Sequence, residues 1–188
     1  MIGIGFGGAS SFSSSKYYNF CFRNVSPHET FLWIWKARST PKLKFFYWLL
    51  LSDRLNTRNI LRRRHYNIGN NFSCLMCQPA PEETLEHLFF RCPFSISYWN
   101  ILGISWGQNG SRLDLISDAK TSWRKPMFME IMITGAWSIW KERNMMLFDG
   151  VPPSISSWKE RFKDDFALLV HRTKSSLPDF ILSYVINL

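Results

Sequence analysis

The sequence is short of acidic residues, of long apolar runs and of cysteines spread along its length. Its 188 residues carry 14 Asp and Glu against 23 Lys and Arg, a formal charge of +9, so a polyanion suits it better as a partner than a basic surface does. The longest clean apolar run, Phe45-Phe46-Tyr47-Trp48-Leu49-Leu50-Leu51, sits behind Lys42 and Lys44. It falls far short of the roughly 20 residues that cross a bilayer, so no membrane association is expected. The start, Met1-Ile2-Gly3-Ile4-Gly5-Phe6-Gly7-Gly8, alternates apolar residues with glycine and has no positive segment, unlike a signal peptide. An intracellular, reducing location, nuclear or cytoplasmic, is therefore expected. A phosphate-cradling glycine loop is also missing, because the N-terminal glycines lack a following Lys and helix. No Ser/His/Asp spacing stands out, and Asp164-Asp165 reads as two solvated positions on a helix. No catalytic residues are assigned, and no enzymatic activity is expected.

What is present in abundance is aromatic: nine Trp and sixteen Phe within a 46% hydrophobic chain. That composition belongs to a globular protein with a sizeable core, as one domain or as a small module with a helical extension. Trp33, Trp35, Trp99, Trp137 and Trp140 read as core residues rather than as platforms for nucleic-acid bases.

The four cysteines are unevenly placed. Cys21 stands alone and reads as a small buried apolar residue. Cys74, Cys77 and Cys92 share a short stretch with His87 in the pattern C-x2-C-x9-H-x4-C. In a reducing compartment such a cluster suggests a metal rather than disulfides. Two thiolates from one tight turn, with a His and a further Cys, fill the four vertices of tetrahedral Zn²⁺ and leave none for a catalytic water. A redox dithiol at Cys74/Cys77 is the alternative, but such pairs open a helix after a strand, and nothing strand-like precedes this one. Inert packing is a third reading, and His65 is a reserve ligand outside the cluster. His87 and Cys92 lie five apart, off a common face of an ideal helix, so the helix must end at about Arg91, where Pro93 enforces the break.

Hydrophobic periodicity and punctuation predict a mainly α fold: a small helical zinc-binding domain followed by a helical hairpin. Residues 1–11 read as a loose N-terminus and 12–102 as the metal-binding unit. Within that unit Lys16–Phe22 is undecided between strand and helix, and His28–Lys36 reads as a short buried helix. Pro41 starts a helix buried on most of its circumference from Leu43 to Leu51. Thr57 caps a short basic helix, and Glu82–Phe90 forms another. Residues 103–123, polar and with three Gly, read as a loop or linker. Residues 124–172 form the hairpin, broken at Asp149-Gly150-Val151-Pro152-Pro153, and 173–188 a C-terminal tail. Trp140-Lys141-Glu142-Arg143 and Trp158-Lys159-Glu160-Arg161 are similar strings without wider repetition.

Charge is distributed unevenly along the chain. Between residues 42 and 64, seven cations (Lys42, Lys44, Arg54, Arg58, Arg62, Arg63 and Arg64) oppose Asp53 alone. The cysteine segment instead holds Glu82, Glu83 and Glu86 against Arg91. The knuckle is thus expected to repel phosphates and to brace the basic segment, which would contact nucleic acid. A plain solvated basic face is the competing reading.

These residues resemble a known family, the zinc-binding domain found downstream of the reverse transcriptase in plant non-LTR (LINE-type) retrotransposon proteins. The likeness runs through Trp33-Ile34-Trp35-Lys36, Pro41 to Leu50, Asp53-Arg54-Leu55-Asn56-Thr57-Arg58, Leu61 and Arg63. It continues through Cys74-Leu75-Met76-Cys77, Glu83 to Phe94 and Trp99, about half the chain. The segment Ile139 to Asn144 with Phe148 resembles the helix that commonly follows. The resemblance implies one structural Zn²⁺ on Cys74, Cys77, His87 and Cys92 in a non-catalytic region that helps engage template RNA or target DNA. It also implies other retrotransposon proteins as partners. No polymerase palm motif and no RNase H carboxylate set accompany it, so the chain is expected to be a freestanding piece or a domesticated or decaying copy. The alternative is a structural or protein-interaction remnant of such a polyprotein, without nucleic-acid binding of its own.

Overall fold

Hydroxyl caps decide where most of the helices begin. In the computed structural model, which describes residues 13–24, 26–173 and 177–188, Ser13 accepts the N–H of Lys16 to open α1 (Ser14–Phe22). His28 opens α2 (Glu29–Lys36) through its ring nitrogen. Thr40 caps α3 (Pro41–Leu51), where Pro41 occupies the first turn and forfeits no helical hydrogen bond. Thr57 caps α4 (Arg58–Arg63) as the sequence predicts. Cys92 immediately precedes α5 (Pro93–Ile101). Ser111 and Asp114 form a reciprocal capping box on α6 (Arg112–Ser122). The long α7 (Phe128–Asp149) ends at Gly150, whose left-handed φ of 66° suits a residue without Cβ. Ser154 caps α8 (Ile155–Ala167), which tightens into a 3₁₀ turn over Leu168–Arg172 before α9 (Leu177–Ile186). Among the described residues the fold is helical, with one isolated antiparallel bridge, Ser73 to Glu82.

The core forms around α7, which is buried on nearly every side from Phe128 to Ala136. Helices α3, α5 and α8 all pack on it. Phe46 of α3 meets Trp137 edge-on at 4.9 Å, and Tyr98 of α5 stacks on Trp158 of α8 at 4.6 Å. Trp158, Phe162 and Phe166 continue the stack along α8. Gly135 lets α5 approach closely, since a Cβ there would lie 2.8 Å from the Trp99 ring. The similar Trp-Lys-Glu-Arg strings meet across the α7–α8 hairpin. Glu142 of the first accepts from Arg161 of the second, and also from the N–H of Ser154 and the hydroxyl of Ser157 at the start of α8.

Several expectations need correction. Residues 103–123 are not simply a loop, because they contain α6. That helix buries Leu115 and Ile116 alone, too few apolar positions for a periodic signal, and rests on its capping box instead. The expected tail, 173–188, contains α9, which buries Ile181 and is tied by the Tyr184 hydroxyl to the Leu102 carbonyl at 2.8 Å. The helix expected from Glu82 starts only at Leu85, because Glu82 pairs with Ser73 and the Glu83 N–H donates to the Phe72 carbonyl. Residues 16–22 are helical. Helix α2 is half-buried, with Trp35 53% exposed, and Phe45 of α3 faces solvent at 54%. Cys21 is exposed. The loose N-terminus expected over residues 1–11 lies outside the described residues.

One polar contact joins the cysteine segment to α7. The Arg143 guanidinium grips the Glu83 carboxylate in the core, with Nη2 to Oε1 at 2.6 Å and Nε to Oε2 at 3.2 Å. Both side chains are almost wholly buried, at 2% and 0% exposed. Glu83 Oε1 also accepts the Arg58 N–H at 3.0 Å, which fastens the first turn of α4 to the same carboxylate. Arg143 further donates to Asn144 and lies over the Trp140 ring. Removing one partner leaves a buried charge unopposed, which costs about 3–5 kcal/mol, whereas an apolar replacement of both costs much less. Glu83→Gln is expected to lower the midpoint of chemical denaturation sharply, and the double variant Glu83→Leu/Arg143→Met is expected to recover much of that loss.

Candidate metal centre

Cys74 and Cys77 lie in a loop whose base is closed by two backbone bonds, Cys74 N–H to Pro81 O at 2.7 Å and Glu83 N–H to Phe72 O at 2.8 Å. Arg58 adds a clamp by donating to the carbonyls of Asn71 and Ser73. From Glu83 the chain turns into a short helical segment in which the Thr84 hydroxyl accepts the His87 N–H. The backbone then widens into a π turn, His87–Arg91, with the Cys92 N–H donating to the His87 carbonyl. An i to i+5 bond of this kind brings residues five apart over one another, as a plain α-helix does not. Pro93 then begins α5, and Cys92 is left extended between the two helices with its sulfur turned back toward His87. The expected helix end at Arg91 is observed.

The four candidate ligands converge as expected. One donor atom from each of Cys74, Cys77, His87 and Cys92 lies within 4.8 Å of all the others, and Cys77 Sγ is 3.3 Å from His87 Nε2. Zn–S bonds of about 2.3 Å and Zn–N bonds of about 2.0–2.1 Å at tetrahedral angles place S and N about 3.5 Å apart. The three cysteines are buried and His87 is half-buried. The donor set and its geometry fit one structural zinc, held entirely by protein ligands. His65 is exposed at the end of α4 and takes no part in the cluster.

The surroundings prepare the sulfurs unequally. Cys92 is drawn down to about 4 by a hydrogen bond from the Cys74 thiol, against burial. The His87 ring and the N–H groups of Ser95 and Phe94 at the start of α5 assist. The Cys74 thiol is pushed up, first by the same bond to Cys92 and then by burial, although the Met76 N–H donates to its sulfur at 3.4 Å. Burial, followed by repulsion from Cys92, raises Cys77. One sulfur is thus a ready thiolate at neutral pH and the other two shed protons when a cation arrives.

The acidity expected of the knuckle is compensated. Glu83 is paired with Arg143, Glu82 with Arg62 at 2.7 Å, and Glu86 with Arg91 at 3.7 Å. Sequence reasoning missed both Glu83 and Arg143 as organising residues; each stands in a string of charged residues that looks solvated, and only the fold buries it.

The seven basic positions of residues 42–64 divide by environment. Arg58 is turned to carbonyls, and Arg62 and Arg63 pair with Glu82 and Asp53. Burial would raise the Asp53 carboxyl, yet Arg63 and Arg112 together hold it below the ordinary range. Lys42 lies over Trp137 and Arg54 over Trp48, Lys44 donates to the Trp35 carbonyl, and Arg64 donates to Asn56. None of these four has a carboxylate within ion-pair distance among the described residues.

Two measurements check the centre. Elemental analysis of the purified protein should give one zinc per chain, lost in Cys74→Ser and Cys92→Ser, and chelation should lower the helical circular dichroism signal of the parent. Calorimetric zinc titration at pH 7 in buffers of differing ionisation enthalpy should show about two protons released by the thiols, since Cys92 is already ionised there. Affinity should accordingly weaken as the pH falls, because Cys74 and Cys77 hold their protons more tightly.

No curated protein and no solved structure matches the chain. Residues 12–99, just under half of it, match the family described as zinc-binding in reverse transcriptase. The match takes in all four metal-site residues, the loop that carries the first pair and the turn that carries the second. Residues 12–99 are thus similar to the zinc-binding domain of reverse transcriptases, and Cys74, Cys77, His87 and Cys92 within them form a cluster that fits one structural zinc.

Proposed function

We propose that the protein is a non-catalytic accessory module that holds RNA or DNA for a retrotransposon-type reverse transcriptase, with the zinc acting as a brace. The observation that carries this reading is the pattern of charge compensation. The acids of the metal-binding segment are each matched by a guanidinium, while Lys42, Lys44, Arg54 and Arg64 have no carboxylate within ion-pair distance among the described residues. Phosphate backbones are the abundant partner for such a surface, and binding releases their condensed counter-ions. Lys42, Lys44, Arg54 and Arg64 are the phosphate contacts in this reading. Arg58, Arg62 and Arg63 act indirectly, by fixing α4 against the cysteine loop.

The zinc site supplies no reaction. Its four vertices are taken by protein side chains, and its sulfurs lie in the interior. Its contribution is to hold the loop of Cys74 and Cys77 against the start of α5, which in turn fixes α4. Other proteins of the same element are natural neighbours for such a module. No helix among the described residues is long and apolar enough to cross a membrane.

A second reading, a protein-interaction remnant, draws on the exposed Trp35, Phe45 and Phe148. Salt dependence separates the two. Four phosphate contacts on a single strand give a slope of about −2.8 in log affinity against log salt, hence about a fifty-fold loss between 50 and 200 mM. Fluorescence anisotropy with a labelled single-stranded RNA should show that loss, and weaker binding after zinc is removed. Absence of binding by the zinc-loaded protein at 50 mM salt would favour the protein-interaction role.

A further inference from the structure

A second group of cations placed for a ligand lies outside the basic segment that dominates the sequence. A concave cleft of about 380 Å³ opens where the end of α2, the end of α6 and the start of α7 meet. Lys36 and Arg38 line it from the first, Lys120 and Lys125 from the second and the segment after it. Its walls include the indoles of Trp33 and Trp123, each partly buried against the core. Glu130, the one acid lining it among the described residues, is turned to Arg38, accepting the backbone N–H at 2.8 Å with the guanidinium 3.7 Å away.

The three lysines have a different standing from the arginines of α4. None of them is within ion-pair distance of a carboxylate among the described residues. Lys120 instead lies 4.1 Å above the Trp33 ring and Lys125 5.6 Å from the Trp123 ring. An ammonium on an indole face is held in place yet keeps its charge for an incoming anion. The first turn of the 22-residue α7 has no side-chain cap and lines the same cleft, which adds the positive end of a long helix dipole. Four cations and two indoles around a space of nucleotide size combine what single strands need: charge for the backbone and flat apolar faces for the bases.

We propose that this cleft is a binding site for single-stranded nucleic acid, taking phosphates on Lys36, Lys120 and Lys125 and a base against Trp33 and Trp123. The inference rests on the nucleic-acid reading above and extends it, adding to Lys42, Lys44, Arg54 and Arg64 a second contact region that selects a single strand. The site is composite, drawing residues from both sides of the segment that reads as a linker in the sequence. An acidic peptide would satisfy the lysines but need bring no flat ring to the indoles.

The test uses the full zinc-loaded chain and a labelled single-stranded RNA at low salt. The cleft variant Lys36→Gln/Lys120→Gln/Lys125→Gln should retain its zinc and lose at least about tenfold in affinity, with the salt slope reduced by about 2. A control of equal charge change, Lys16→Gln/Lys163→Gln/Arg172→Gln, at positions outside the cleft and the basic segment, should lose at most about threefold. An oligomer carrying abasic sites should bind the parent about fivefold more weakly or worse. A cleft variant within twofold of the parent, equal losses in cleft and control variants, or equal binding of abasic and intact oligomers would overturn the inference while leaving the general reading intact. Displacement of the RNA by polyglutamate of matched charge at equal concentration would overturn it in favour of an acidic protein partner. A parent that binds no single strand at 50 mM salt would overturn both.

Discussion

The arrangement depends on a carboxylate that cannot be satisfied locally. Glu83 belongs to the cysteine segment, yet its charge is met by Arg143, sixty residues further on, and by the first N–H of α4. Water is excluded from both side chains, so neither can tolerate the loss of the other. The pair therefore fixes three pieces at once: the knuckle, the basic helix and the central helix. The metal organises the segment from inside, and the ion pair orients it against everything else. The hairpin is consequently part of the same body as the zinc domain, and a single apolar cluster runs from Ile34 to Ile181.

The metal site was the most legible feature of the sequence, because coordination chemistry fixes residue type and spacing together. Helix starts were legible for a related reason: Thr40-Pro41 and Thr57 carry their own hydrogen-bonding instructions. What escaped notice lacked either signal. Helix α6 buries just two residues on a polar surface, and α9 follows a segment that reads as an ending. The helix expected from Glu82 started late because a bridge to Ser73 competes for the same backbone. Buried charge was the least legible, since Glu83 and Arg143 look like ordinary surface residues until the helices are assembled.

Linear charge density also misled about position. The arginines of α4 form the most conspicuous basic run, but the fold matches two of them to acids and turns a third to carbonyl oxygens. The lysines of the cleft are scattered over ninety residues and leave no such mark. A cationic run can serve as internal mortar, and a field directed outward can be assembled from isolated residues.

The widened turn between His87 and Cys92 makes the domain sensitive to chain length as well as to residue identity. Four intervening residues are accommodated by an i to i+5 bond; with three, an ordinary α-helical turn would present the same two side chains on one face. A deletion of one residue there would thus leave the ligands able to meet, but would rotate α5 by about a quarter of a turn or more relative to the knuckle. Trp99 would swing away from Gly135, so the interval sets the angle at which the metal-binding segment docks on the rest of the molecule.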